Sequence, residues 1–407
     1  MTAISNQRQT GGGVLLLRRP FLLTLAAVFA LDAMTGLVII GYGNSYLIDV
    51  LKAPPSYPAY AIGLYGLVKL LAAPPGGWLL ERLRTSSVVA IAGTATIAGL
   101  LTILAHKSAG TYFLGVGLVS FGSAFAWLNV FHVLGYRHEA SERGAATASM
   151  GAVSAGATAI GLGIAALVAE TPHWRVAFFI GVAFSVLAML LLFPVQAEPA
   201  PFDVKTKGEE APVPIPEPAR GPVGRRRFAA TFVVFAHFAT ISALLAGMVP
   251  LMLRTLDLSL LQAGFALTPA GAGAAVGMLV IGWRSKAGRR LRTAALLYFV
   301  VGASVAVLAG ATGPVMFAIA SFPLGLSLGA VQPIVNASLI DAARAEQRSG
   351  VALGYLFFVE GAGSIAGPLG VGLVISLADV RPGVAAIAAM AVALASVAWW
   401  TSRDLDL

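Results

Sequence analysis

Twelve apolar runs, each long enough to cross a hydrocarbon layer of about 30 Å as a helix of roughly 20 residues, constrain this chain more than any other feature. In lipid a helix satisfies its own backbone hydrogen bonds, so runs of this length dictate helices rather than strands or loops. The first six are Phe21 to Leu47, Tyr57 to Leu80, Ser86 to Ala105, Thr111 to Tyr136, Ala145 to Val168 and Trp174 to Val195. Six more are Phe228 to Leu253, Leu260 to Trp283, Thr293 to Ala311, Val315 to Ile340, Gly350 to Leu377 and Gly383 to Trp400. The first is longer than a signal-peptide core and eleven others follow it, so it reads as a retained span. Between the sets, Gln196 to Arg227 is rich in proline and in charges of both signs, without apolar periodicity, which predicts a linker. The chain therefore reads as an all-α membrane protein. Two pseudo-symmetric six-helix bundles, residues 1–195 and 228–407, flank a linker at 196–227.

Composition agrees. Charged residues make up 11% of the 407, against about 25% in soluble domains, too few to solvate a globule of this size. A soluble enzyme is excluded as the default. The absence of cysteine removes disulfides, thiolate metal sites and a cysteine nucleophile. Of the 27 basic residues, 21 fall on the side of the termini and linker, five fall on the other, and Lys69 lies within a span. The positive-inside bias then puts both ends and the linker in the cytoplasm of a multi-pass cell-membrane protein. These basic arms account for the net charge of +9 without nucleic acid, and Arg225 to Arg227 or Arg289 to Arg292 could also meet anionic lipid headgroups.

The halves repeat one another. Arg143 precedes Gly156 by 13 residues, and Arg348 precedes Gly361 by the same 13. Gly77-Trp-Leu-Leu-Glu-Arg-Leu-Arg84 follows the second run, and Gly282-Trp-Arg-Ser-Lys-Ala-Gly-Arg-Arg290 follows the eighth. Duplication of this kind marks secondary transporters, whose substrate site lies near the midplane between the repeats.

These residues resemble the major facilitator superfamily over essentially the whole chain. Its loop signature is matched by Gly77, Leu79, Glu81 and Arg82, with Arg84 at a glycine position; the second copy keeps Lys286, Gly288, Arg289 and Arg290, with Ser285 at the acid position. Trp174-Arg-Val-Ala-Phe-Phe179 is similar to a common opening of the sixth helix. Leu31 to Ile39 and Gly63 to Gly77 are similar to the first two helices of twelve-helix drug:proton antiporters, including tetracycline exporters. The resemblance implies a monomer that works by alternating access, with Asp32 in substrate recognition or proton coupling. The antiporter glycine–proline signature is missing from the fifth helix, whereas Gly354, Gly363, Gly367 and Pro368 carry most of it in the eleventh, where a gating role is implied.

Buried charge is costly, about 3 kcal/mol on insertion scales, so intramembrane ionisable residues are paired or functional. Four lie deep: counted from the linker-side helix ends at about 1.5 Å per residue, Asp32, Lys69, His237 and Glu360 all fall roughly 14–17 Å in. They form one expected layer of proton-coupling or substrate-binding groups. Asp32 and Lys69 are expected to be either a structural ion pair or a protonatable carboxylate with its tuning partner. Glu360 would hold a proton, a cationic substrate group or Lys69. His237 is a hydrogen-bonded interior histidine or a proton carrier. Of the aromatic residues, Tyr65, one turn before Lys69, and Tyr355, five residues before Glu360, are the candidate companions, Tyr65 the better placed. Asn129, His132, Gln332 and Asn336 are explained by interhelical hydrogen bonds.

No metal-binding helix, nucleophile elbow or phosphate loop occurs, so no enzyme and no cofactor are expected. The leading expectation is proton-coupled export of amphipathic small organic molecules. Uptake or exchange of a small organic anion bound by Lys69 is the alternative, and a non-transporting receptor a remote one.

Overall fold

A computed structural model of the chain describes residues 19–54, 57–137, 140–171, 173–195, 223–258, 260–282, 290–345 and 349–402. Twelve helical rods account for nearly all of them. The first half holds α1 (Arg19–Val50), α2 (Tyr57–Leu80), α3 (Thr85–Ala105), α4 (Ala109–Arg137), α5 (Ala140–Ala169) and α6 (Arg175–Leu192). The second holds α7 (Val223–Pro250), α8 (Leu260–Val276, carried on as part of the same helix by the π-helical stretch Gly277–Gly282), α9 (Arg290–Ala309), α10 (Pro314–Ala345), α11 (Ser349–Leu377) and α12 (Val380–Ser402). Among the described residues ten helices are long and apolar enough to cross a membrane, and α8 carries the shorter apolar stretch Phe265–Ile281. Each element falls where an apolar run demands it. Several overrun the apolar limits, as where α7 begins at Val223 rather than Phe228, because backbone hydrogen bonding does not stop at the edge of the lipid.

The repeat is visible in the backbone. α1 ends in the π-helical turn Tyr46–Val50, and α7 runs on into Leu251–Thr255, each followed by a residue of positive φ, Lys52 at 54° and Asp257 at 51°. Leu51 N–H donates to the Tyr46 carbonyl at 2.9 Å and Leu256 N–H to that of Leu251 at 3.1 Å, so the two helices are capped alike, 205 positions apart. The same offset relates two crossings. Ser120 of α4 donates to the Tyr65 carbonyl of α2, and Gly325 of α10 abuts the carbonyl of Ala270 of α8. Packing follows suit: α1 lies on α5 and α6, α2 on α4, α3 on α4 and α6, and each pairing recurs six helices later.

Two lateral seams, α2 with α11 and α5 with α8, join the halves. Small residues make both possible. A Cβ at Gly361 would meet the backbone of Leu70, one at Gly354 the carbonyl of Ala73, and one at Gly151 the sulfur of Met278. On the linker side, where α6 ends and α7 begins, the two halves share one apolar core that includes Leu31, Phe125, Phe131 and Phe357. At the opposite end, the first half keeps a separate core of Tyr42, Tyr46, Tyr112 and Phe178.

Candidate functional site

Three of the four deep ionisable residues come together, and of the pairings left open by the sequence it is Lys69 with Glu360, not Lys69 with Asp32, that closes. Lys69 Nζ lies 2.7 Å from Glu360 Oε1, a buried ion pair that bridges the halves across the α2–α11 seam. Asp32 is not the partner of Lys69. The reason is topological: α1 packs on α5 and α6, whereas the face of α2 that carries Gly66 and Leu70 meets Ser364 and Gly361 of α11. Lys69, between those two contacts, therefore faces Glu360. The sequence offered Lys69 a partner on α1 or on α11; the seam between the repeats decided for α11.

Asp32 stands beside the pair as an odd carboxylate. It is buried, it accepts a hydrogen bond from Ser154 of α5, and its Oδ2 has no partner. The charges of Lys69 and Glu360 both act on it. No ionisable residue occurs between positions 145 and 169 of α5 or between 176 and 192 of α6, so the titratable groups facing Asp32 are Lys69 from α2 and Glu360 from α11.

Aromatic rings complete the surroundings of Lys69. Its ammonium lies 5.7 Å from the centroid of Tyr65 and 5.9 Å from that of Phe357, one ring from each half and both within cation–π range. Tyr65 is fixed by its hydroxyl, which donates to Ser123 Oγ at 2.7 Å. Phe357 is fixed by an edge contact with Phe131 of α4 at 5.5 Å. Tyr65 thus stands beside Lys69, one turn before it on α2. On α11 the ring beside Lys69 belongs to Phe357, while Tyr355 is 41% exposed. Position 357 is three residues before Glu360, about one turn, which spacing could have singled out.

His237 is buried outside this constellation. Gln332 Oε1 accepts from its Nε2 at 2.5 Å, which puts the ring proton on that nitrogen, and Nδ1 accepts from the Tyr298 hydroxyl at 3.0 Å. With both nitrogens engaged, it is built as an interior hydrogen-bonded histidine. Asn129 departs from expectation, since it is fully buried and neither atom of its amide has a partner.

The loop-motif residues lie elsewhere. Gly77 abuts Gly354 at the linker end of the α2–α11 seam, and the Arg82 guanidinium stacks on Trp78 at 3.9 Å. Glu81 follows at the end of α2 and is half-buried. Gly288 and Arg289 lie outside the described residues, and Arg290 enters only as the first residue of α9. Gly367 packs against the Ala239 carbonyl of α7, with Pro368 next to it inside α11. A groove of about 730 Å³ between α9 and α10, lined by Val307, Pro314, Ile319 and Pro323 among others, contains no ionisable residue and lies apart from the Lys69 layer.

Comparison with known proteins gives a family and a fold. The description of the Major Facilitator Superfamily matches residues 22–368. No curated protein matches the sequence. Among solved structures, the crystal structure of the human organic anion transporter MFSD10 (TETRAN) is similar, with a TM-score of 0.75 over 95% of this chain and 99% of that one, at 12% identity. At that identity the likeness is one of fold.

Proposed function

Since the chain belongs to the major facilitator superfamily and is a multi-pass membrane carrier, we propose that it is a proton-coupled exporter of amphipathic organic cations working by alternating access. One observation carries this reading: a carboxylate with an unpartnered oxygen, Asp32, beside a closed Lys69–Glu360 pair. The layer contains one cation and two carboxylates. The pair neutralises itself, so the layer is neutral only when it also holds one proton or one monovalent cation. A proton on Asp32 and a substrate cation are therefore alternatives within the same layer, and that exclusion is the requirement for antiport. Apolar walls supply contact area for the rest of an amphipathic molecule. The excess of basic residues on the linker side makes that side cytoplasmic, and inward-directed protons then drive cations outward. The working unit is a monomer, with its pathway between its own halves.

The test is proton movement in dye-loaded proteoliposomes given lipophilic cations or small organic anions. Cations are expected to evoke proton flux in the wild type and none in Asp32→Asn. A second reading, exchange of an organic anion at Lys69, has in its favour a buried cation between the halves and the likeness in fold to a human organic anion transporter, MFSD10. Anion-evoked flux that survives Asp32→Asn would establish that reading and retire the first.

A further inference from the structure

The surroundings of the Lys69 ammonium are those of a cation-binding site. Glu360 supplies a carboxylate at 2.7 Å, and Tyr65 and Phe357 supply ring faces at 5.7 and 5.9 Å. A carboxylate flanked by aromatic rings is the arrangement that recognises organic ammonium groups. Here it is occupied by the protein's own side chain. Both rings are held by partners other than Lys69, Tyr65 by Ser123 and Phe357 by Phe131, so the box does not depend on its occupant for its shape.

We infer that Lys69 is a tethered surrogate substrate: it fills the Glu360–Tyr65–Phe357 box in the empty carrier, and an organic ammonium substrate binds by displacing it. The inference rests on the cation-exchange reading and adds which residues form the substrate site and which one competes for it. Displacement needs a destination for the lysine charge. Asp32, whose Oδ2 is unpartnered and whose charge interacts with that of Lys69, provides one once its proton has gone to water. Charges balance throughout. The empty carrier holds neutral Asp32, Lys69⁺ and Glu360⁻; the loaded carrier holds Asp32⁻, Lys69⁺, Glu360⁻ and one substrate cation. One cation enters as one proton leaves.

The tether makes Lys69 a specificity-determining residue, because a ligand succeeds only if it outcompetes a flexible ammonium for the same box. It also joins the halves, since the lysine and Tyr65 come from α2 while Glu360 and Phe357 come from α11.

The experiment is equilibrium binding of benzyltrimethylammonium to the purified full-length protein by calorimetry, which reads the site without requiring transport. Lys69→Met removes the competitor and keeps the bulk, and is expected to tighten binding at least tenfold. Glu360→Gln is expected to abolish binding in either background. Lys69→Arg, whose guanidinium holds a carboxylate through two hydrogen bonds, is expected to weaken binding severalfold, and it decides the matter if Lys69→Met does not survive extraction. Binding that appears only in Lys69→Met also supports displacement. Binding that is unchanged or weaker in Lys69→Met, or absent from both proteins, overturns it. The two readings fail separately: a wild type that still exchanges cations for protons while Lys69→Met binds no tighter loses only the tether, whereas a wild type that answers only to anions loses the exporter.

Discussion

At the scale of single residues, the decisive distinction is between charges that are paired and one that is not. Removing one member of a buried ion pair leaves the other uncompensated, at about 3–5 kcal/mol, while removing both is close to neutral. Thermal unfolding of Lys69→Met, Glu360→Gln and the double variant in detergent should therefore show strong coupling, the double variant recovering most of what either single change loses. A cycle run instead on Lys69 and Asp32 should show the weaker coupling, since no hydrogen bond joins them. Asp32→Asn should leave the thermal transition and the size-exclusion profile intact, because the amide matches the shape and neutrality of the protonated carboxyl and its oxygen can still accept from Ser154. In the wild type, the apparent affinity for benzyltrimethylammonium should rise with pH by up to tenfold per unit while Asp32 is protonated, and level off above. Asp32→Asn should flatten that profile; a slope that persists would assign the exchanged proton to another group.

At the scale of helices, backbone approach sets what each position tolerates. Gly273 and Gly277 of α8 lie against the backbone of Phe322 and Leu326, and Gly325 and Gly329 of α10 against that of Ala270 and Ala274. Glycines on both helices interlock, so neither backbone can withdraw from an added side chain. Gly325→Leu should cost about 3 kcal/mol and lower the yield of monodisperse protein on size-exclusion chromatography. Gly63→Ala, where a Cβ has nothing within 4 Å, should be silent in the same measurement. The contrast separates glycines that close a helix crossing from those that do not, a difference composition alone conceals. The six-helix recurrence of pairings also shows how the two copies differ: Gly325 meets the Ala270 carbonyl by bare contact where Ser120 meets the Tyr65 carbonyl by a hydrogen bond.

At the scale of the whole molecule, the halves share a core on the linker side and meet along two seams of unlike chemistry. The α2–α11 seam carries the Lys69–Glu360 pair; the α5–α8 seam is made of small residues and methionine, with Gly151 against Met278 and Gly271 against Ala159. Alternating access requires the linker side to open. A native chain without cysteine allows a direct test. In Gly151→Cys/Met278→Cys, a Cβ at 151 falls 3.9 Å from Met278 Cγ, which brings the two thiols within reach of a disulfide or a short bis-thiol cross-linker. Oxidation should arrest proteoliposome flux and a reductant should restore it, whereas undiminished flux in the fully cross-linked protein would show that this end of the seam does not open.

The sequence by itself determined the membrane class, the twelve helices and the internal repeat, because each follows from local quantities: the length of an apolar run, the side on which basic residues fall, the spacing of matching motifs. It also singled out Asp32, Lys69, His237 and Glu360, all of them buried in the fold, since a rise of about 1.5 Å per residue converts position along a span into an expected depth without any knowledge of neighbours. Partnership it left as alternatives. Asp32 and Lys69 occupy the same depth on consecutive helices, yet α1 packs on α5 and α6 while α2 packs on α11, so the lysine closed on Glu360, 291 residues away, and Asp32 was left odd. Phe357 rather than Tyr355 faces Lys69, and His237 is spent on Tyr298 and Gln332, for the same reason. Depth is a property of one helix; direction around its axis acquires meaning only when the other helices are in place.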